Sequence, residues 1–239
     1  VLDLLAGGGD LAGGGDLAGV TVAVSAGGTR EPLDPVRYLT NRSSGKQGHA
    51  VAEAAARRGA SVVLVTASPL LPPAGVRVVP VETAAEMEAA MAEAAADADV
   101  VVMAAAVADF RPKARAERKL HDLPELVLEP TPDILAGLVA RRRPGQVLVG
   151  FAAETDDVLA RGERKLRRKG VDLLVVNDVT APGAGFDHDT NAVTLLDAAG
   201  GAAEVPLASK AAVADAVLDR VAARLAAESP APAPERKGT

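Results

Sequence analysis

Three polar stretches and one cationic run contain the residue types that could do chemistry. The first is GGTREPLDPVRYLTNRSSGKQG, Gly27 to Gly48, which ends in Ser43, Ser44, Gly45 and Lys46 just ahead of an Ala-rich segment. A Gly-rich polar loop that opens a helix points backbone N–H groups and the positive end of the helix dipole at one spot, which suits an anion. The loop far exceeds the roughly two to six residues of an ordinary βα connection. Two readings follow: a loop that holds a phosphate on a substrate, or a Gly-rich turn with a solvated Lys46. It is not a Walker loop, because Thr40 stands where the first glycine belongs, and GGTRE lacks the downstream glycine of a dinucleotide fingerprint. The second stretch is AAAVADFRPK, Ala104 to Lys113. Small residues at a strand end let a flat ring approach the backbone, and Asp109 could then meet a magnesium ion or a ribose hydroxyl, or simply close a turn. The third is Thr131-Pro132-Asp133, read as a helix start with Thr131 as the cap. Lys119 follows Asp109 by ten residues, and Lys165 and Lys169 share a helical face. Such a basic run is often a solvated surface. It is also what a triphosphate with magnesium needs, since phosphoryl and nucleotidyl transfer depend on positioning and charge neutralisation. His49, His121 and His188 match no triad or metal spacing and are read as structural or exposed.

These groups need a frame that brings strand ends together. Apolar runs at Val20–Ser25, Ser61–Thr66, Val76–Val81, Val100–Ala105, Val147–Phe151 and Leu173–Asn177 read as buried strands. Lys46–Arg58, Ala84–Ala96, Pro132–Arg142 and Asp156–Gly170 read as helices, with Met87 and Met91 one turn apart as core filler. The alternation predicts an α/β fold: a Rossmann-like, doubly wound, mainly parallel sheet with helices on both faces. A C-terminal hairpin, Ala192–Leu196 with Ala203–Leu207, and a helix over Ser209–Ala227 follow. In such folds ligands bind beyond the C-terminal strand ends, where the polar stretches Gly27–Gly48, Ala104–Lys119, Thr131–Asp133, Phe151–Asp156 and Asn177–Asn191 all fall.

Residues 1–16, with the AGGGDL repeat, are expected to be a Gly-rich flexible linker, residues 17–228 one domain and residues 229–239 a disordered tail. With three Phe, one Tyr and no Trp, the core must be built from Val, Leu and Ala. A net charge of −6 and a pI near 5.2 argue against a general nucleic-acid surface. The absence of cysteine excludes disulfides and thiolate chemistry within the chain. No apolar run of about 18 residues is present, so no membrane span and a cytoplasmic location are expected.

The blocks DPVRYLTNRSSGKQG, AAAVADFRPK, TPDIL, GFAAET, the Lys165/Lys169 pair and Asn177-Asp178-Val179 closely resemble phosphopantothenoylcysteine synthetases. These form the synthetase half of the bacterial bifunctional decarboxylase/synthetase of coenzyme A biosynthesis, and the resemblance spans residues 17–225. It implies a CTP-dependent ligase that joins 4′-phosphopantothenate to L-cysteine through an acyl-cytidylate, releasing pyrophosphate and then CMP. Carried over by position, Asn41 stabilises the acyl-cytidylate, while Arg37, Ser43, Ser44, Gly45 and Lys46 hold the phosphopantothenate. Met103, Ala104 and Ala105 line the cytosine, and Pro132, Asp133, Ile134, Leu135 and Phe151 close the nucleotide pocket. Asp109 serves CTP and its Mg²⁺, and Lys119, Lys165 and Lys169 the triphosphate, with Lys119 also counted as catalytic. The chain departs from the family at Thr131, where Asn is usual, and at ERKLHD, where lysines cluster and Arg118 rivals Lys119. The resemblance further implies a homodimer, no flavin in this chain, and a flavin decarboxylase domain fused to it or associated with it. A nicotinamide oxidoreductase is disfavoured, because Tyr38 is followed four residues on by Arg42 rather than lysine. A non-catalytic nucleotide-binding module is disfavoured by the presence of Asn41.

Overall fold

A computed structural model describes residues 14–122, 125–154, 157–178 and 188–228. Its centre is an eight-stranded sheet. Six strands are mutually parallel: β1 (Thr21–Ala26), β4 (Ser61–Thr66), β5 (Arg77–Pro80), β6 (Val100–Met103), β9 (Val147–Glu154) and β10 (Leu173–Asp178). The antiparallel pair β11 (Thr190–Asp197) and β12 (Ala202–Ser209) extends one edge, giving the order β12-β11-β10-β9-β6-β1-β4-β5. Two small two-stranded sheets join β2 (Arg30–Pro32) to β3 (Tyr38–Thr40) and β7 (Phe110–Pro112) to β8 (Leu128–Pro130).

Because the central strands are covered on both faces, alternate residues feed two separate cores. Val22, Val24, Val100, Val102, Val147 and Val149 point to one face. There they meet α1 (Lys46–Arg57) and α5 (Lys210–Glu228), the latter through Val213, Val217, Leu218 and Val221. Ala23, Val101, Leu148, Leu174 and Val176 point to the other, against α2 (Ala84–Asp97), α3 (Ile134–Ala140) and α4 (Val158–Lys169). Met87 and Met91 are fully buried in this second core, as the one-turn spacing predicts.

The doubly wound architecture and the C-terminal hairpin and helix agree with the sequence reading. The differences are local. β6 stops at Met103, because the next residues bond to the exit of β1 instead. β9 runs on to Glu154, so Phe151 lies within a strand. Helix α3 begins at Ile134: Asp133, not Thr131, is its cap, accepting the Ala136 N–H at 3.1 Å. Thr131 is occupied elsewhere, its hydroxyl donating to the carbonyl of Ala108. The expected linker lies outside the described residues up to 13. Within them, Asp16 pairs with Arg58, and Leu17 is fully buried. The expected tail, 229–239, also lies outside.

Helix α1 approaches β1 closely only because residue 48 has no side chain. A Cβ there would lie 2.6 Å from Ala26 Cβ and 2.7 Å from the Ser25 carbonyl oxygen. Gly48→Ala is therefore expected to push α1 off the sheet and destabilise the protein by about 1–3 kcal/mol, as overpacking does. Chemical denaturation measures this, and an unchanged midpoint would contradict it.

Candidate active site

The exits of β1 and β6 form the floor of a cleft of about 630 Å³ at the C-terminal edge of the sheet. Backbone bonds join the two exits: Ala106 N–H donates to the Gly27 carbonyl at 2.8 Å, and Thr29 N–H to the Ala106 carbonyl at 3.3 Å. The Ser25 hydroxyl accepts from Ala105 N–H at 3.1 Å and the buried Thr29 hydroxyl from Ala108 N–H at 2.9 Å. The N–H groups of Thr29, Ala105, Ala106 and Ala108 thus have partners, and at Ala104 to Ala106 nothing larger than a methyl group stands between backbone and cleft.

The Ser43–Lys46 loop forms the wall on the α1 face. Gly45 sits at φ 82° as the N-cap of α1, in the left-handed region that glycine adopts without strain, and no side chain caps the helix. The loop is held from below, with Ser68 Oγ donating to the Ser44 carbonyl at 2.6 Å. His49 Nδ1 lies 3.0 Å from the Gly45 carbonyl oxygen. His49 is buried, and His121 and His188 are exposed, as their isolated positions suggest. Asn41 reaches from the loop to the floor, its Nδ2 donating to the Val107 carbonyl at 3.0 Å.

The opposite wall comes from the other face of the sheet. Lys165, Arg168 and Lys169 of α4 line it together with Asp133 and Ile134 at the head of α3. Lys169 forms an ion pair with Asp133. Burial pushes the Asp133 carboxyl up, but hydrogen bonds from Lys169 and the Ala136 N–H, with the charges of Lys169 and Arg168, bring it below its ordinary value. Met103, Leu135 and Phe151 supply apolar lining, and Pro132 and the exposed Asp109 complete the rim. Among the described residues, six basic side chains line the cleft (Arg42, Lys46, Lys165, Arg168, Lys169 and Lys210) against the carboxylates of Asp109 and Asp133. In a chain of net charge −6, that concentration makes the cleft a local anion site.

Two expected site residues do not reach it. Arg37 is drawn to the side-chain-buried Asp34 at 2.6 Å and donates to the Leu120 carbonyl at 2.7 Å. Arg37 and backbone N–H bonds hold the Asp34 carboxyl well below the usual range. Lys119 is exposed beside this junction, and neither residue lines the cleft of its own chain; nor does Arg118, its rival. The cleft also includes residues given no individual role by the sequence reading: Arg168 of the basic run, Asn177 and Asn191 at the two ends of a polar stretch placed at the strand ends, and Lys210, which lay outside every such stretch. Asn177 belongs to the quoted Asn-Asp-Val block, whereas Asn191 and Lys210 carry no motif.

The pattern of the DNA/pantothenate metabolism flavoprotein C-terminal domain family matches residues 17–225. The chain belongs to this family. It is 47% identical over 223 residues to the coenzyme A biosynthesis bifunctional protein CoaBC of Mycobacterium tuberculosis, covering 87% of this chain and 53% of that protein. It is 42% identical over 208 residues to a cysteine/cysteine sulfinic acid decarboxylase of an unknown prokaryotic organism, covering 85% of this chain and 58% of that protein. The crystal structure of a CoaBC C-terminal domain superposes with a TM-score of 0.78 at 39% identity, covering 89% of this chain and 98% of that one. The chain therefore spans a little over half the length of these curated relatives, and nearly all of the solved C-terminal domain. Among the described residues, no helix of this family member is long and apolar enough to cross a membrane.

Proposed function

We infer that the chain is the ligase that joins 4′-phosphopantothenate to L-cysteine, driven by CTP, in coenzyme A biosynthesis. One observation carries this reading. The Ser43–Lys46 loop, Asn41 and the Lys165/Lys169 pair meet in a single cleft over the alanine-lined strand end. The 4′-phosphopantothenate carboxylate displaces pyrophosphate from the α-phosphorus of CTP, giving the acyl-cytidylate. The cysteine amine then attacks the acyl carbon, forming the amide and releasing CMP and a proton. Neither step requires a histidine or a thiol from the protein. Both require anions to be neutralised and aligned, and the cleft is built to do that.

Lys165 and Lys169 hold the triphosphate, with Arg168 beside them. The half-buried Phe151 and the Met103–Ala105 strand end receive the cytosine, which Pro132, Ile134 and Leu135 close over. The Ser43–Lys46 loop holds the substrate phosphate, and Asn41 serves the acyl-cytidylate. A magnesium ion is held mainly by phosphates and waters with one or two carboxylates, so the single exposed Asp109 fits one carried in with the nucleotide. That ion would neutralise phosphate charge. Lys119 and Arg37 take part only if their segment swings in or they serve another subunit's cleft.

A cytoplasmic homodimer and partnership with a flavin-bearing decarboxylase, fused or separate, belong to the same reading. Exposed Tyr38, Phe110 and Leu128 on the small sheets, and Leu207 on the edge strand β12, supply apolar surface for a second subunit. The test is pyrophosphate release with 4′-phosphopantothenate, Mg²⁺, cysteine and either CTP or ATP. Release with CTP alone is expected. Release with ATP instead would keep the ligase and overturn the nucleotide, and no release with either would overturn the reading.

A further inference from the structure

We propose that Asp189 is a specificity-determining residue: its carboxylate is a displaceable counter-ion on Lys46, which a phosphate group must replace in order to bind the Ser43–Lys46 loop. The assignment rests on the ligase reading of the cleft and adds a residue to it. In that reading the phosphate is the one on 4′-phosphopantothenate; the phosphates of CTP share its chemistry, and the test separates the two.

The fold places this carboxylate. Asp189 immediately precedes β11, and its carbonyl accepts the N–H of Lys210, the first residue of α5, at 3.0 Å. Those two ties hold it beside the head of α1, where its side chain pairs with Lys46 at 2.6 Å. Helix α1 supplies no such group itself: it has no acid in its first turn, and Gly45 gives it no side-chain cap. The negative charge at the anion loop therefore comes from a residue 143 positions away in the chain. The bond to Lys46 and then the charge of that lysine hold the Asp189 carboxyl below its ordinary value, and the charges of Lys210 and His188 add to this. An arriving phosphate therefore meets it ionised.

Stability does not account for the pair. The Asp189 side chain is 87% exposed and that of Lys46 35%, and ion pairs so open to water contribute little to folding. A pair that weak is readily exchanged, and its effect is a threshold. A lone anion gains Lys46 only by giving up neutralisation that is already in place, whereas a phosphate carried by a substrate has the rest of the cleft to hold it. Repulsive elements of this kind are one of the two ways in which a site becomes selective. Lys46 has a further interaction besides Asp189, so losing the carboxylate does not strip the lysine. It removes the negative charge that the phosphate must displace. The opposite wall is built in the same way, with Lys169 paired to Asp133, whose side chain is 52% exposed. Each wall thus sets an exposed carboxylate on a lysine that the ligase reading gives to a phosphate.

The test measures kcat and KM for 4′-phosphopantothenate and for CTP, and inhibition by inorganic phosphate, in wild type, Asp189→Asn, Asp189→Ala and Asp189→Glu. The Asn and Ala variants are expected to lower KM for 4′-phosphopantothenate about three- to tenfold, as removal of one nearby like charge does. Inhibition by inorganic phosphate should strengthen by a similar factor. Asp189→Glu should stay near wild type, and the gain should shrink in ~0.5 M salt, where exposed charges are screened. A gain confined to CTP would keep the counter-ion and assign its phosphate to the nucleotide. The sign separates this role from a structural one: if Asp189 served only to hold Lys46 in place, its loss would raise KM. A raised or unchanged KM for both substrates, or a gain that salt leaves untouched, would overturn the assignment. Calorimetric titration with each substrate reads the same change without turnover. An inactive protein whose affinity for 4′-phosphopantothenate or CTP still rises in Asp189→Ala would keep the assignment and overturn the ligase reading; no binding of either by the wild type would overturn both.

Discussion

Lys169→Ala is expected to lower kcat/KM for CTP by about 10²- to 10³-fold, more than Lys165→Ala, although both side chains line the same wall. Removing one preorganised donor to a developing oxyanion costs about 2.7–4 kcal/mol, and a lysine on the triphosphate is a donor of that kind. For Lys169 a second term is added. In the free protein Lys169 is paired with Asp133, the cap of α3 on the rim of the cleft. Without the lysine, that carboxylate faces the triphosphate uncompensated, and the cleft gains repulsion as well as losing attraction. The double variant Asp133→Asn/Lys169→Ala should therefore recover part of the loss, with a coupling of about 0.5–3 kcal/mol, the range for contacting pairs. Steady-state kinetics with varied CTP across the four proteins measures the coupling. Strict additivity would mean that Asp133 does not face the nucleotide.

Asn41→Asp is expected to lower amide formation by about 10²- to 10³-fold, the usual effect of a lost transition-state donor. The neutral amide donates through Nδ2 to the Val107 carbonyl at 3.0 Å, bracing the loop against the cleft floor. A carboxylate cannot donate there, and it sets one anion beside another at the point where the acyl-cytidylate must form and react. The loss should fall mainly on the cysteine-dependent step. In a single turnover without cysteine, pyrophosphate should still appear and the acyl-cytidylate accumulate, detectable by mass spectrometry. Wild-type partitioning of the intermediate would remove Asn41 from the second step.

The parallel sheet was legible because its strands are contiguous Val, Leu and Ala runs, and its helices repeat apolar residues at a helical spacing. The two small sheets were not legible. β2, β3, β7 and β8 are three residues each, and three of the four end in proline, so they read as loop. They form because each pairs with its partner and packs on the rim, which is tertiary information. The Thr131 cap failed for the same reason: its hydroxyl is committed to the Ala108 carbonyl, which lies far away in sequence. Asp34 capturing Arg37 is a competition that spacing alone does not reveal. The loop, the alanine strand end and the Lys165/Lys169 pair were legible as site residues because their types are unusual where they stand. Lys210 was not, because a lysine after Ser209, whose hydroxyl accepts from Ala212 N–H, looks like any helix start.

The central claim is the identity of the bond made and of the nucleotide product released. The direct measurement incubates the protein with 4′-phosphopantothenate, L-cysteine, CTP and Mg²⁺ and quantifies all products by mass spectrometry. The account predicts 4′-phosphopantothenoylcysteine, CMP and pyrophosphate in equal amounts, with no amide when cysteine is omitted. CDP and inorganic phosphate would mean acyl-phosphate chemistry at the same cleft and contradict the nucleotidyl mechanism; a folded protein that forms no amide would contradict the ligase itself.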